Sequence, residues 1–331
     1  MPKTATTFLL KISILGFIAL AAFVLALTMG SVSIEWAEVL AGVRGEHLSV
    51  DYAVVVQLRL PRALNAFVVG GLLGLAGTLM QVLLRNPLAD PYVLGVSGGA
   101  AVAALLAMML GWHQGWVSLA AAGGALGSMA LVFILSRGQG DWSTTRLLLT
   151  GVVLAAGWGA AVSFILVVSP DTHLRGMLFW LMGDVHESYP GGLRSGILAG
   201  ALIIALISAR ILNVLTLGEL RAQSLGVDTG LVRLGLFLVA GILTASAVTL
   251  AGAIGFVGLV VPHLVRIWGG SDHRFVIPAS VLGGGSLLVL AEMFSRTLLA
   301  PIQLPVGVIT AFVGVPLFLL LLRRSTAPVV R

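Results

Sequence analysis

Residues 234–265 read LGLFLVAGILTASAVTLAGAIGFVGLVVPHLV, thirty-two positions without Asp, Glu, Lys or Arg. As a single helix this stretch would be about 48 Å long at 1.5 Å per residue. That exceeds the roughly 30 Å hydrocarbon core of a bilayer unless the helix tilts steeply. Gly252, Gly255 and Gly258 interrupt it, and glycine is poor in a helix interior. Arg233 and Arg266 flank the stretch, so one crossing puts them on opposite sides of a membrane and two crossings put them on the same side.

The charge distribution favours two crossings. The other apolar runs cover roughly 12–29, 63–84, 92–111, 116–136, 147–169, 196–217, 276–294 and 305–322. With the N-terminus inside and ten spans, the inside holds Lys3, Lys11, Arg85, Arg137, Arg146, Arg210, Arg221, Arg233, Arg266, Arg274, Arg323, Arg324 and Arg331. The outside holds Arg44, Arg59, Arg62, Arg175, Arg194 and Arg296. Basic residues gather on cytoplasmic loops, so this asymmetry predicts an all-α polytopic protein of ten transmembrane helices with both termini cytoplasmic.

Composition agrees. Of 331 residues, 58% are hydrophobic and 10% charged, with a mean hydropathy of +1.08. Soluble domains average roughly 45–50% apolar and about 25% charged. The net charge of +6 is then a property of cytoplasmic loops, and no basic run interleaved with aromatics points to nucleic acid. The absence of cysteine excludes disulfides, iron–sulfur clusters and thiolate metal sites. The N-terminal run from Ile12 to Met29 is longer than a signal core and lacks a small-residue cleavage site, so it reads as the first span. Residues 1–331 then form one transmembrane domain. Residues 31–60 and 170–194 are its long outside segments. SIEWAEVLAG in the first suits a short interfacial helix, and HLRGMLFWLMGD in the second suits the lipid surface.

Small residues recur at four-residue spacing in Gly70/Gly74, Gly95/Gly99 and Gly196/Gly200, a pattern that lets helices approach closely in lipid. Gly71, Gly74, Gly77 and Arg85 share their spacing with Gly252, Gly255, Gly258 and Arg266, an echo of the internal repeats common in transporters.

Several chemistries are missing. Lysine occurs only at positions 3 and 11, so no Walker loop exists to hold a nucleotide. Glu292 is the one acid inside an apolar run and lies near the outer end of its helix, which argues against a proton or sodium carrier. GVSG at 95–98, with His263 as base, imitates an intramembrane serine protease. Ser97 lies only six residues after Pro91, however, and a serine between glycines is more often a packing site.

Three segments remain: 58–100, containing RNPLADPYVLG; LGELRAQSLGVDTGLVR (217–233); and 251–278, containing FVGLVVPHLVR and then DHR, continuing to PIQLPVG. Together they resemble the permease subunits of type II ABC importers for iron chelates, haem and cobalamin, nearly end to end. The resemblance implies a homodimer in the bacterial inner membrane, two ATP-binding subunits below it and a periplasmic substrate-binding protein above. It implies no cofactor in the permease itself, since ATP is bound by the partner. It assigns ATPase coupling to Glu219, Arg221 and Gly226, and binding-protein docking to Arg59, Arg62 and Arg296. The cytoplasmic gate falls to Asn86, Leu88, Thr144 and Thr145, and Arg175 is a candidate substrate contact.

The residues themselves fit. Glu219, Arg221, Gln223 and Asp228 surround Leu217, Leu220 and Leu225, and Gly226 suits a joint between two short helices. Outside arginines run against the charge rule and so require a reason, and a guanidinium binds carboxylates bidentately. Pro87 and Pro91 stop one helix and fix a turn before the next. Two positions depart from the family pattern: Glu292 stands where Asp is common, and Gln303 where Glu is common, which puts an ion pair near Arg296 in question. RGMLFWLMGD with PIQLPVG leans towards the corrinoid members. The competing reading is a stand-alone secondary transporter or channel.

Overall fold

The computed structural model describes residues 2–30, 53–136, 144–185 and 192–325, and every regular element among them is helical. α1 spans Pro2–Thr28. A π-helical turn, Val54–Arg59, leads into α2, Leu60–Leu83. A 3-10 turn at Pro91–Leu94 opens α3, Val96–Met109. Then come α4 (Gln114–Ser136), α5 (Thr144–Val168), α6 (Asp171–Met182) and α7 (Gly192–Ile207). Two short helices follow, α8 (Ala209–Thr216) and α9 (Glu219–Ser224). The chain ends with α10 (Thr229–Ala251), α11 (Val257–Gly269), α12 (His273–Thr297) and α13 (Val306–Ser325).

Six of these helices are long and apolar enough to cross a membrane, and α7 with α8, bent by 61°, offers a seventh. α3, α11 and the Val306–Leu321 part of α13 are shorter apolar helices. The segment SIEWAEVLAG lies outside the described residues, as do Arg44, Arg137 and Arg331.

α2 occupies the centre. Almost all of its residues from Pro61 to Leu83 are buried, as expected of a helix that is apolar on every side. Its glycines allow this. A Cβ at Gly70 would stand 2.1 Å from the Gly284 carbonyl oxygen of α12, and one at Gly77 would stand 1.9 Å from the Gly258 carbonyl oxygen of α11. Of the glycines in the sequence echo, Gly77 and Gly258 meet at the α2–α11 crossing, whereas Gly74 meets Ser280 of α12. Gly196 and Gly200, in contrast, face open space, so this pair does not serve close packing within the chain.

The 234–265 stretch is two helices. α10 ends at Gly252 (φ +65), and α11 begins after Phe256 (φ +70). Gly258 stands against Leu73 of α2 and Pro91 of the 3-10 turn, so the break lies within the bundle. α6 packs against the bundle along one face. Its C-terminal end is built into the same junction: Met177 and Trp180 are buried, Asp184 N donates to Ala251 O (2.9 Å) and Val306 N donates to Gly183 O (2.9 Å).

Candidate coupling loop, gate and outer corner

At one end of the bundle α8 and α9 project as a pair. Their joint is Gly218 (φ +111), and Gly226 (φ +82) instead ends α9 before α10. The expected hinge between the short helices is thus displaced to Gly218. Both glycines have open space around them, so positive φ is their requirement.

Glu219 is the anchor of the loop. Its Oε2 accepts from Arg233 Nη2 at 2.7 Å and from Arg85 Nη2 at 3.1 Å, and its Oε1 accepts from Thr229 Oγ1 at 3.5 Å. Partial burial raises the Glu219 pKa, but hydrogen bonds and charges from Arg233, then Arg85, outweigh this and hold the carboxyl below its ordinary value. Asp228 caps α10 by accepting from Gly230 N and Leu231 N, each at 3.0 Å. On the other side Asn213 Nδ2 donates to Asp272 Oδ1 (2.9 Å), and His273 N donates to Asn213 Oδ1 (2.9 Å). The polar groups are therefore satisfied from inside. Four leucines also face outward: Leu217, Leu220, Leu225 and Leu231 are 55%, 83%, 64% and 68% exposed, with Arg221, Gln223 and Asp228 exposed around them.

Arg85 links this loop to the 85–100 turn. It adopts φ +48 at the end of α2. Asn86 Oδ1 accepts from Leu88 N (2.9 Å), and Asp90 Oδ1 accepts from Tyr92 N (2.8 Å). These Asx turns, with Pro87 and Pro91, set a rigid path into α3. Gln81 ties the turn to α11: its Nε2 donates to Leu259 O at 3.2 Å, and its Oε1 accepts from Arg266. α5 packs on the same turn, Gly151 standing against Val93. Thr145 is exposed near the start of α5, and no hydrogen bond joins it to Asn86 or Leu88 among the described residues. Nor does one join Ser97 to His263, which leaves the protease imitation without its nucleophile–base contact.

Gln81, Tyr92 and Arg233 were missed as site residues. Gln81 carried a signal, as a lone amide near the end of an apolar run. Tyr92, whose hydroxyl accepts from Ile254 N at 3.1 Å inside the α10–α11 break, carried none.

At the opposite end the outside arginines have partners within the chain. Arg59 is buried and donates from Nη1 to Leu27 O (2.7 Å) and Thr28 O (2.9 Å). Arg296 donates to Ala26 O and, from Nε, to Glu292 Oε2 at 3.2 Å. The two guanidiniums thereby satisfy the last carbonyls of α1, where cations are favoured. The ion pair in question at this corner exists, supplied by Glu292 one turn before Arg296. Arg62 Nη2 donates to Gln303 Oε1 (3.2 Å), and Gln303 Nε2 donates to Asp184 Oδ1 (3.3 Å), so the amide bridges a cation and an acid that a glutamate would join less evenly. Arg175 is exposed on α6, its guanidinium 5.9 Å from the Phe179 ring, beside a shallow depression that includes Ile302 and Gln303.

The FecCD transport family profile matches residues 18–324. This chain belongs to the FecCD transport family. It is 39% identical over 322 residues to the hemin transport system permease protein HmuU of Yersinia pestis, covering 94% of this chain and 95% of that one. It is 40% identical over 281 residues to the vitamin B12 import system permease protein BtuC of Vibrio vulnificus, covering 84% and 85%. A solved inward-facing structure of a metal-chelate type ABC transporter superposes with a TM-score of 0.80 at 29% identity, over 96% of this chain and 99% of that one. The FecCD chain is accordingly an ABC transporter permease subunit in a membrane. It is not itself an enzyme, and it works with ATP-binding subunits and a substrate-binding protein.

Proposed function

We propose that this permease imports a metal chelate, namely a corrinoid such as cobalamin, haem or a ferric siderophore, from periplasm to cytoplasm across a bacterial inner membrane. It acts as one of two identical subunits above two ATP-binding subunits, with a periplasmic binding protein on the other face. The three shorter apolar helices and α7 bring the crossings to ten, within one domain over residues 1–331. The residues read as inside (Lys11, Arg85, Arg233, Arg266) share the α8–α9 end, and those read as outside (Arg59, Arg62, Arg296) share the other. Both termini then face the cytoplasm. The permease holds no cofactor, and ATP is bound and hydrolysed by the partner.

The observation that carries this reading is the exposed leucine cluster on an internally braced loop. A solvated turn has no need of four protruding leucines, whereas a knob seated in a partner's cleft does. Glu219 braces the knob, Gly226 turns the chain back into α10, and Arg221 stands ready for an acidic group. Because Glu219 is also paired with Arg85, movement of the knob is transmitted to the turn holding Asn86 and Leu88. With Thr144 and Thr145 of both copies across the path, these form the cytoplasmic gate, which places α5 on the path between the copies. Docking of the binding protein rests chiefly on Arg62 and its surroundings, with Arg59 and Arg296 holding the corner in shape. Arg175, exposed on the outer side, meets an anionic chelate.

Co-purification tests this. Glu219→Arg with Arg221→Glu is expected to abolish recovery of the ATP-binding subunit while the permease stays folded. Uptake that runs undiminished in vesicles lacking ATP but holding an ion gradient would establish the secondary-transporter reading instead.

A further inference from the structure

Among the described outside arginines, Arg194 is the one not taken up by the corner, the docking surface or the proposed chelate contact. It is half-buried at the start of α7 and makes no ion pair among the described residues. It opens onto a crevice of about 640 Å³ between α2, α4, α7 and α10. At the mouth stand His113 and Gln114. His113 Nδ1 accepts from Gly115 N at 3.3 Å, which leaves its proton on Nε2 as a donor. Asn65 lies buried on the inner wall. Among the described residues, no acidic side chain is part of the lining. Further in the walls are apolar, with Leu119, Leu126, Ile197 and Ile242. From Gln114 to Leu126 the crevice descends about 18 Å along α4 at 1.5 Å per residue, close to the roughly 15 Å hydrocarbon depth of one leaflet. Trp112 and Trp116, 51% and 62% exposed, flank the mouth as residues of a membrane–water interface do.

We infer that this crevice binds an anionic phospholipid, its phosphate against Arg194 and an acyl chain along Leu119, Leu126 and Ile242. A guanidinium at the interface pairs with a phosphate bidentately, and the apolar walls below match a chain in length and polarity. A free anion would satisfy the cation and leave those walls uncovered. None of α5, α6 or α13 lines the crevice, so the site stands apart from the path proposed for the chelate. Only its assignment to the outer leaflet rests on the orientation proposed above.

Native mass spectrometry of the purified permease with dioleoylphosphatidylglycerol and dioleoylphosphatidylcholine tests the site in either orientation and without transport. The wild-type chain is expected to retain phosphatidylglycerol preferentially. Arg194→Gln weakens that retention about tenfold, or about 1.4 kcal/mol, and erases the preference, while Arg194→Lys keeps it. Ala122→Trp, which fills the crevice, lowers retention of both lipids, and glycerol phosphate does not compete. Unchanged retention in both Arg194→Gln and Ala122→Trp overturns the inference. So does competition by glycerol phosphate at equal concentration, which would identify a soluble-anion site. Either result leaves the import reading untouched.

Discussion

α2 and α5 are comparably apolar, yet 94% of the apolar stretch of α2 is buried and only 11% of that of α5. The difference lies in small residues and where they point. Gly70, Gly74 and Gly77 of α2 each meet another helix's backbone. In α5 only Gly151 does so, while Gly157 and Gly159 face open space. Val153, Phe164 and Val167 of α5 are 70%, 67% and 84% exposed. In lipid, apolar character alone drives no packing; close backbone approach does. α2 is finished within one chain, and α5 presents a surface to something else.

The sharpest way to break this contrast is a leucine in place of each glycine. Gly70→Leu would drive a side chain into the Gly284 carbonyl and is expected to abolish a monodisperse folded peak in fluorescence size-exclusion. Gly159→Leu leaves that peak in place. Next in size is the buried pair that fixes α12 to the end of α1. Glu292 is 1% and Arg296 9% exposed, so Arg296→Ala, which strands a buried carboxylate, should cost about 3–5 kcal/mol in an equilibrium unfolding assay. Arg62→Ala, removing one hydrogen bond to Gln303, should cost about 1 kcal/mol.

Acid has a smaller effect at the α8–α9 end. The pKa of Glu219 is depressed in the folded protein, so its contribution is complete above the ordinary value of 4.5 and is lost as pH falls through the lowered folded value. Hydrogen exchange in residues 217–233 is therefore expected to rise only below that ordinary value. A final substitution should cost almost nothing in stability and still separate the two helices. The chain has no cysteine, so Val167→Cys on α5 reports its neighbours without background. Disulfide-linked dimers are expected from it, and none from Leu20→Cys, which is 62% exposed on α1. The reverse pattern would put the second copy against α1.

Much of this was legible in the residues. Apolar runs and arginine asymmetry gave the helices and their grouping by end, because lipid forces helix on any spanning backbone and charges stay out of the core. The RNPLADP turn was legible because Pro, Asn and Asp act locally on their own backbone. The coupling loop could be read from polar residues set around leucines, although its joint was placed at Gly226 instead of Gly218, since sequence shows a glycine but not its φ. At the outer corner the residues showed cations but not their partners within the chain. Arg59 and Arg296 stood out as outside cations, and nothing near them in sequence announces the carbonyls of Ala26, Leu27 and Thr28.

The amino-acid sequence by itself determined that this protein lives in lipid, that its backbone is helical and that its 217–233 loop sets polar residues around leucines. These follow from side-chain chemistry and short-range geometry. Only the tertiary structure decided that α2 is the axis, that the α10–α11 break sits beside Tyr92 inside the bundle, and that two arginines close the end of α1. Each of these joins residues far apart in the chain, and such contacts are set by which surfaces fit together in space.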